Sequence, residues 1–165
     1  MARTRSTLAG RAPRRKMIWV RDVGASPAAT PTGATDLLTD FRALNGGAQP
    51  LGVTVTRMRG RLAAQVSASP TFLTDMTVGA IVLPRTIPAV DIPTPVTDLH
   101  ADWLMWQPMD GLGQGAASAA GFSVEIDVRS QRKMDEVGET LWLAWEGTGL
   151  TTSLAWSIST LVKLP

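Results

Sequence analysis

The apolar positions of this chain recur mainly every second residue, the period of a β-strand. In "FSVEIDVRS", Phe122, Val124, Ile126 and Val128 point one way and Ser123, Glu125, Asp127 and Arg129 the other. That pattern predicts a half-buried strand with a charged outer face. Near the C-terminus, "SLAWSISTLVKL" sets Leu154, Trp156, Ile158, Thr160 and Val162 on one face. "LGVTVTRMRGRLAAQV", residues 51–66, places Val53 and Val55 on one side and Thr54, Thr56 and Met58 on the other. Its β-branched content favours a strand. Gly60 within it signals a bulge or close packing. "DMTVGAIVLPR", residues 75–85, is almost continuously apolar from Val78 to Leu83. Such a run suits a strand in the core of a sandwich.

Between these runs the chain is punctuated. "GASPAATPTGA", residues 24–34, reads as an extended linker or surface loop. "TDLLTDF" after it reads as a short helix, capped by Thr35 or Asp36, that covers a core edge with Leu37, Leu38 and Phe41. Pro88, Pro93 and Pro95 in "TIPAVDIPTPVT" forbid an internal helix or a central strand there. "GLGQGAASAAG", residues 111–121, is a loop with room for an alanine-rich helix at 116–120, which the flanking glycines weaken. "QRKMDEVGET" reads as a polar connection, and "EGTGLTT" as the turn of a hairpin joining 141–146 to 154–164.

These segments give about eight strands, near 17–22, 51–58, 61–67, 76–83, 102–107, 122–129, 140–146 and 153–163. The expected fold is mainly β: a single antiparallel β-sandwich domain over 17–165, jelly-roll-like, with an immunoglobulin-like Greek key as the other arrangement. An extended basic arm, residues 1–16, precedes it.

Charge changes the picture at the N-terminus. The 165 residues carry a net +2, but residues 1–16 hold six basic groups and no acid: Arg3, Arg5, Arg11, Arg14, Arg15 and Lys16. The remaining chain has ten basic and fourteen acidic groups, a balance of −4. Such asymmetry bears on partners, not on fold. The arm lacks the apolar core of a signal peptide and the bulky apolar face of a membrane helix. No stretch is apolar enough to span a bilayer as a helix, so no membrane partner is expected. With no cysteine, disulfides and thiolate chemistry are excluded.

Candidate chemistry is sparse. The single histidine, His100, has Asp98 and Asp102 two residues to either side, which on a strand would share its face. That triplet has the donor types for a metal or a poised base. A polar strand start after a proline-rich loop is the simpler account. "GLGQG" lacks the lysine and strand–helix setting of a phosphate loop. Glu125 and Asp127 are interleaved with arginines, unlike a glycosidase pair. No catalytic set, metal site, cofactor or small-molecule substrate is expected, and the chain does not read as an enzyme.

Two residue sets point to contact surfaces instead. Arg57, Arg59 and Arg61 fall on one strand face if the strand runs through Gly60. They either pair with Glu125 and Asp127 across a sheet or form a stripe facing phosphates or subunits. The six tryptophans accompany no tyrosine. The spacing of three within Trp103–Trp106 and Trp142–Trp145 splits each pair between opposite strand faces. Trp19, Trp103, Trp106, Trp142 and Trp145 are the candidate interface aromatics. The arginines are not interleaved with them in sequence, which favours subunit contact over base stacking.

The arm over 1–16 together with strand architecture over 17–165 resembles small virion structural proteins. "DVRSQRKMDEVGETLWLAW", residues 127–145, is similar to segments of phage and small-virus structural proteins. The resemblance implies a capsid shell subunit in a virion, assembled in the host cytoplasm into an icosahedral particle. Its partners would be further copies or other capsid subunits, and its arm would contact neighbours or packaged nucleic acid. A phage minor capsid or decoration protein is the nearest alternative. A non-viral nucleic-acid-binding β module and a carbohydrate- or peptide-binding sandwich are the others.

Overall fold

The structure, a computed structural model, describes residues 16–27, 32–44, 46–47, 52–66, 74–111, 120–134, 138–147 and 152–165. Eight strands follow in chain order: β1 (Met17–Ala25), β2 (Thr32–Asp36), β3 (Thr54–Val66), β4 (Thr74–Pro84), β5 (Met105–Gly111), β6 (Ala120–Lys133), β7 (Glu139–Gly147) and β8 (Thr152–Lys163). One short helix, α1 (Thr39–Leu44), follows β2.

The strands pair as though the chain were one long hairpin. β4 pairs with β5, β3 with β6, β2 with β7 and β1 with β8, all antiparallel. This four-rung ribbon folds over on itself. β8 then meets β3, and β7 meets β4. Two four-stranded sheets result, β1-β8-β3-β6 and β2-β7-β4-β5. Eight strands in two facing sheets with this order are a jelly roll.

Alternation along the strands fills the space between the sheets. β8 contributes Leu154, Trp156, Ile158, Thr160 and Val162, all buried, as the period predicts. β6 contributes Ile126, with Val124 and Val128 packed at the margin. The facing sheet supplies Met76, Val78, Ala80 and Val82 from β4, Leu141, Leu143 and Trp145 from β7, and Met105 and Met109 from β5. Each Val, Leu, Ile or Met side chain among them, fully buried, stabilises the fold by about 1.5–3 kcal/mol.

β3 departs from simple alternation. Its pairing shifts between Val55 and Arg57, a β-bulge. Val53 and Val55 are buried before it, and Met58, Leu62 and Ala64 are buried after it. The expectation that Met58 faces away from Val53 and Val55 therefore fails. The extra residue inverts the phase of the strand. The two strands expected near 51–58 and 61–67 are this one strand. It is continuous because Gly60 lets β8 come close: a Cβ on Gly60 would sit 2.8 Å from the Ile158 Cα and closer still to the Ser157 carbonyl oxygen.

Other expectations also change. Part of 24–34 is strand, since β1 runs to Ala25 and β2 begins at Thr32. β6 continues to Lys133, so the first three residues of the polar connection belong to a sheet edge. β7 and β8 do not form a hairpin. Each is a central strand of a different sheet. Of the alanine-rich helix expected at 116–120, residues 116–119 lie outside the described residues, and Ala120 is the first residue of β6.

The helix begins at Thr39, later than a cap at Thr35 or Asp36 would place it; Asp36 ends β2, and its side chain accepts from the Leu38 N–H at 2.9 Å in the turn that leads into the helix. Leu37, Leu38 and Phe41 are buried. Arg42, also buried, is ion-paired with Asp36 and donates to the Thr140 hydroxyl at 2.8 Å. Thr140 in turn donates to Asp36 at 2.6 Å. This closed network pins the β2–α1 corner onto β7 and leaves neither charge unpartnered.

The Gly60 contact yields a direct test. Gly60→Ala forces apart β3 and β8, the two central strands of one sheet. It is expected to lower unfolding stability by about 1–3 kcal/mol, seen as a reduced urea midpoint at unchanged slope.

Candidate functional site

The bulge in β3 decides what the outer face of the β1-β8-β3-β6 sheet carries. With the phase inverted after Val55, Arg57, Arg59 and Arg61 all point outward. Cross-strand register then sets them in rows. Arg21, Ser159, Arg59 and Asp127 lie side by side across β1, β8, β3 and β6. Val23, Ser157, Arg61 and Glu125 form the next row, and Trp19, Leu161, Arg57 and Arg129 the row on the other side.

Two of the three arginines pair with the strand expected to oppose them. Arg57 reaches diagonally to Asp127, its Nε 2.7 Å from one carboxylate oxygen and its Nη2 bonded to the other. Those bonds hold the Asp127 carboxyl below the ordinary carboxylate range. Slight burial opposes them, and the charges of Arg57, Arg59 and Arg129 add to the lowering. Arg61 lies 3.3 Å from Glu125, with both side chains largely exposed. Arg59 does something the sequence order hid. Its guanidinium lies over the Trp19 ring, 4.5 Å from the centroid. Arginine and tryptophan, not interleaved in the sequence, thus meet on this face, because β8 brings β1 and β3 together. Arg21 is held by the Ser157 hydroxyl at 3.2 Å.

The tryptophans divide by setting. Trp19 is 43% exposed on the outer face. Trp145, expected at an interface, is 4% exposed and belongs to the core. It meets Trp156 from the other sheet at 5.6 Å between centroids. Each of these two rings lies over the glycine directly opposite it, Trp145 on Gly33 and Trp156 on Gly24. Trp142, three residues from Trp145, is half-buried on the opposite side of β7.

Trp103 belongs to the connection between β4 and β5, which folds back over the outer face of the second sheet, and Trp106 is the second residue of β5. Trp103 covers Gly79 and donates to the Asp98 carbonyl at 3.0 Å. Trp106 donates to the Pro95 carbonyl at 2.7 Å and is half exposed. This cover explains why Val78 to Val82 is apolar without alternation: both faces of β4 are buried. The outer surface of the connection presents Val90, Val96 and Leu99.

Glu146 on β7 fastens the connection. Its carboxylate accepts from the Val96 and Thr97 N–H groups at 3.0 and 3.1 Å and from the Thr97 hydroxyl at 2.7 Å. Burial raises its pKa, but the bonds from Thr97, Thr94 and Val96 together outweigh it, so the group lies below its ordinary value. The sequence reading missed Glu146, since nothing in "LAWEG" shows a partner fifty residues away.

Asp98, His100 and Asp102 sit in turns, not on a strand, so they do not share a strand face. Asp98 accepts from the Thr94 N–H at 2.8 Å, and Asp102 is bonded to Arg132 at 2.9 Å. Among the described residues no group of three histidines or carboxylates is placed to hold a metal. Nor is any described helix long and apolar enough to cross a membrane. Of the arm, Lys16 is described. It is exposed, and its carbonyl accepts from the Leu164 N–H at 2.9 Å. Arg3, Arg5, Arg11, Arg14 and Arg15 lie outside the described residues.

No family model matches the chain, and no curated protein matches it. Several solved structures of virus chains are similar to it. A chain of desmodium yellow mottle tymovirus matches at 8% identity and a TM-score of 0.37, covering 100% of this chain and 97% of that one. A chain of the Israeli acute paralysis virus full particle matches at 9% and 0.35, covering 90% and 71%. A chain of infectious bursal disease virus matches at 10% and 0.34, covering 92% of this chain and 32% of that one. The jelly roll itself is defined here by strand order and register.

Glu146 gives a pH dependence with a definite sign. Because its folded-state pKa is depressed, its contribution is complete above the unfolded value of about 4.3 and is lost as pH falls through the lower folded value. The Val96 and Thr97 amide resonances are expected to shift together in that acid range. In Glu146→Gln they should already be displaced at neutral pH, as NMR titration would show.

Proposed function

We propose that this chain is a virion structural protein, a shell subunit that self-assembles into an icosahedral particle. One observation carries the reading: an eight-stranded jelly roll whose first strand is entered by a segment with six basic residues in sixteen. Jelly rolls of this kind build viral shells and also serve as lectins and cupins. Here the space between the sheets is filled by apolar side chains, and charge and aromatic surface lie outside. The working surfaces are therefore the outer faces and edges, as tiling requires. Neither catalysis nor a cofactor enters this reading.

The partners are further copies of the chain, met through exposed β1 and β6 edges and the Trp19 and Trp106 surfaces. The arm residues Arg3, Arg5, Arg11, Arg14, Arg15 and Lys16 contact neighbouring subunits or packaged nucleic acid. The protein would reside in the virion after assembly in the host cytoplasm. A decoration protein bound to a shell made by another chain is the outcome if self-assembly fails.

Light scattering and negative-stain imaging of the purified protein at low and high salt test this. Closed particles of uniform size are expected, with absorbance at 260 and 280 nm reporting enclosed nucleic acid. A monomer at both salts overturns the shell reading. Deleting residues 2–15, which spares the Lys16 carbonyl bonded to Leu164, is expected to leave a folded domain by circular dichroism while weakening or altering assembly.

A further inference from the structure

The outer face of the β1-β8-β3-β6 sheet contains a trough. Along β8 the outward residues Ser157 and Ser159 are short, while the flanking strands carry long arginines. Arg21 on β1 forms one wall, Arg59 and Arg61 on β3 form the other, and Glu125 stands at the rim beyond Arg61. Two strand spacings, about 10 Å, separate the backbones of the walls.

The charges do not balance there. Among the described residues the carboxylates of this face are Glu125 and Asp127, and they are paired with Arg61 and Arg57. Among the described residues Arg21 and Arg59 form no ion pair, and they share one cross-strand row. These like charges repel across β8. Each is nevertheless held by one contact. Arg59 rests on the Trp19 ring, and Arg21 donates to the Ser157 oxygen. That last bond uses Ser157 as an acceptor and leaves its hydroxyl proton free to donate.

We propose that this trough is a binding site for a phosphate-class oxyanion, held between Arg21 and Arg59 above the Ser157 and Ser159 hydroxyls. Donors converge from two walls and a floor. A tetrahedral anion offers acceptors in all three directions, whereas a planar carboxylate is satisfied by one guanidinium. The phosphate can belong to a nucleic-acid strand or be free. Trp19, exposed beside Arg59, adds a flat aromatic surface of the type on which bases stack. The proposal rests on reading this face as a contact surface, not on shell formation.

The test uses the full chain, Arg21→Gln/Arg59→Gln, and Arg85→Gln as a control at an exposed arginine of the β4–β5 connection. Calorimetric titration with inorganic phosphate is run beside fluorescence anisotropy of a labelled single-stranded oligothymidylate across a salt series. Parent protein and control are expected to bind phosphate alike, and the double variant to lose at least tenfold. If the source is a strand, the double variant also loses about tenfold for the oligonucleotide, and its salt slope shrinks by about one to two. Phosphate binding without strand binding supports the site with free phosphate as its ligand.

The site is overturned if the parent binds neither probe. It is equally overturned if the double variant keeps parental phosphate and strand affinities, any strand binding then belonging to the arm. Particle formation, recorded on the same samples, separates the two readings. A protein that binds phosphate through Arg21 and Arg59 yet forms no particle retains this site and loses the shell function.

Discussion

The bulge between Val55 and Arg57 is the constraint on which both faces of the molecule depend. β3 is a central strand, hydrogen-bonded to β8 on one side and β6 on the other. Val53 and Val55 must enter the core, and so must Met58 and Leu62. An unbroken two-residue period cannot satisfy both. One extra residue reconciles them, and the Thr56 hydroxyl, bonded to the Leu161 carbonyl at 2.9 Å, ties the irregularity to β8. Without the phase change Arg57, Arg59 and Arg61 would share the side of Val53 and Val55. Three charges would then face the core, at a cost no partner there could offset.

The two sheets are joined by a different device. β7 and β8 are consecutive in the chain but central in opposite sheets, and Trp145 and Trp156 meet between them. Large rings fit a layer only about 10 Å thick if something gives way beneath them. The glycines opposite, Gly33 and Gly24, provide that space: a Cβ on either would stand within 2.9 Å of the indole atom Cε2. Trp103 on Gly79 repeats the arrangement outside the second sheet, where it helps the β4–β5 connection cover an apolar surface.

These devices give the sandwich two unlike outer faces. One is an open sheet whose arginines exceed its carboxylates and whose aromatic group, Trp19, is half in solvent. The other lies under a connection fastened by Glu146 and exposes scattered apolar residues. Charge and aromatic surface are thus set on the outside of the sandwich. Its interior is given wholly to packing.

The sequence alone determined that the protein is mainly β, that about eight strands form a sandwich, which sides of β6 and β8 face inward, and that the basic charge is concentrated at the N-terminus. Those properties follow from local period and composition, which each segment carries by itself. The phase of β3 past Thr56, the burial of Trp145, the separation of β7 from β8 and the meeting of Arg59 with Trp19 were decided only by the tertiary structure. A two-residue period says which residues share a side, not which neighbours they will meet. Arg21 and Ser157 are 136 positions apart in the chain, and they are brought into hydrogen-bonding distance by the folding-over of a whole ribbon of paired strands.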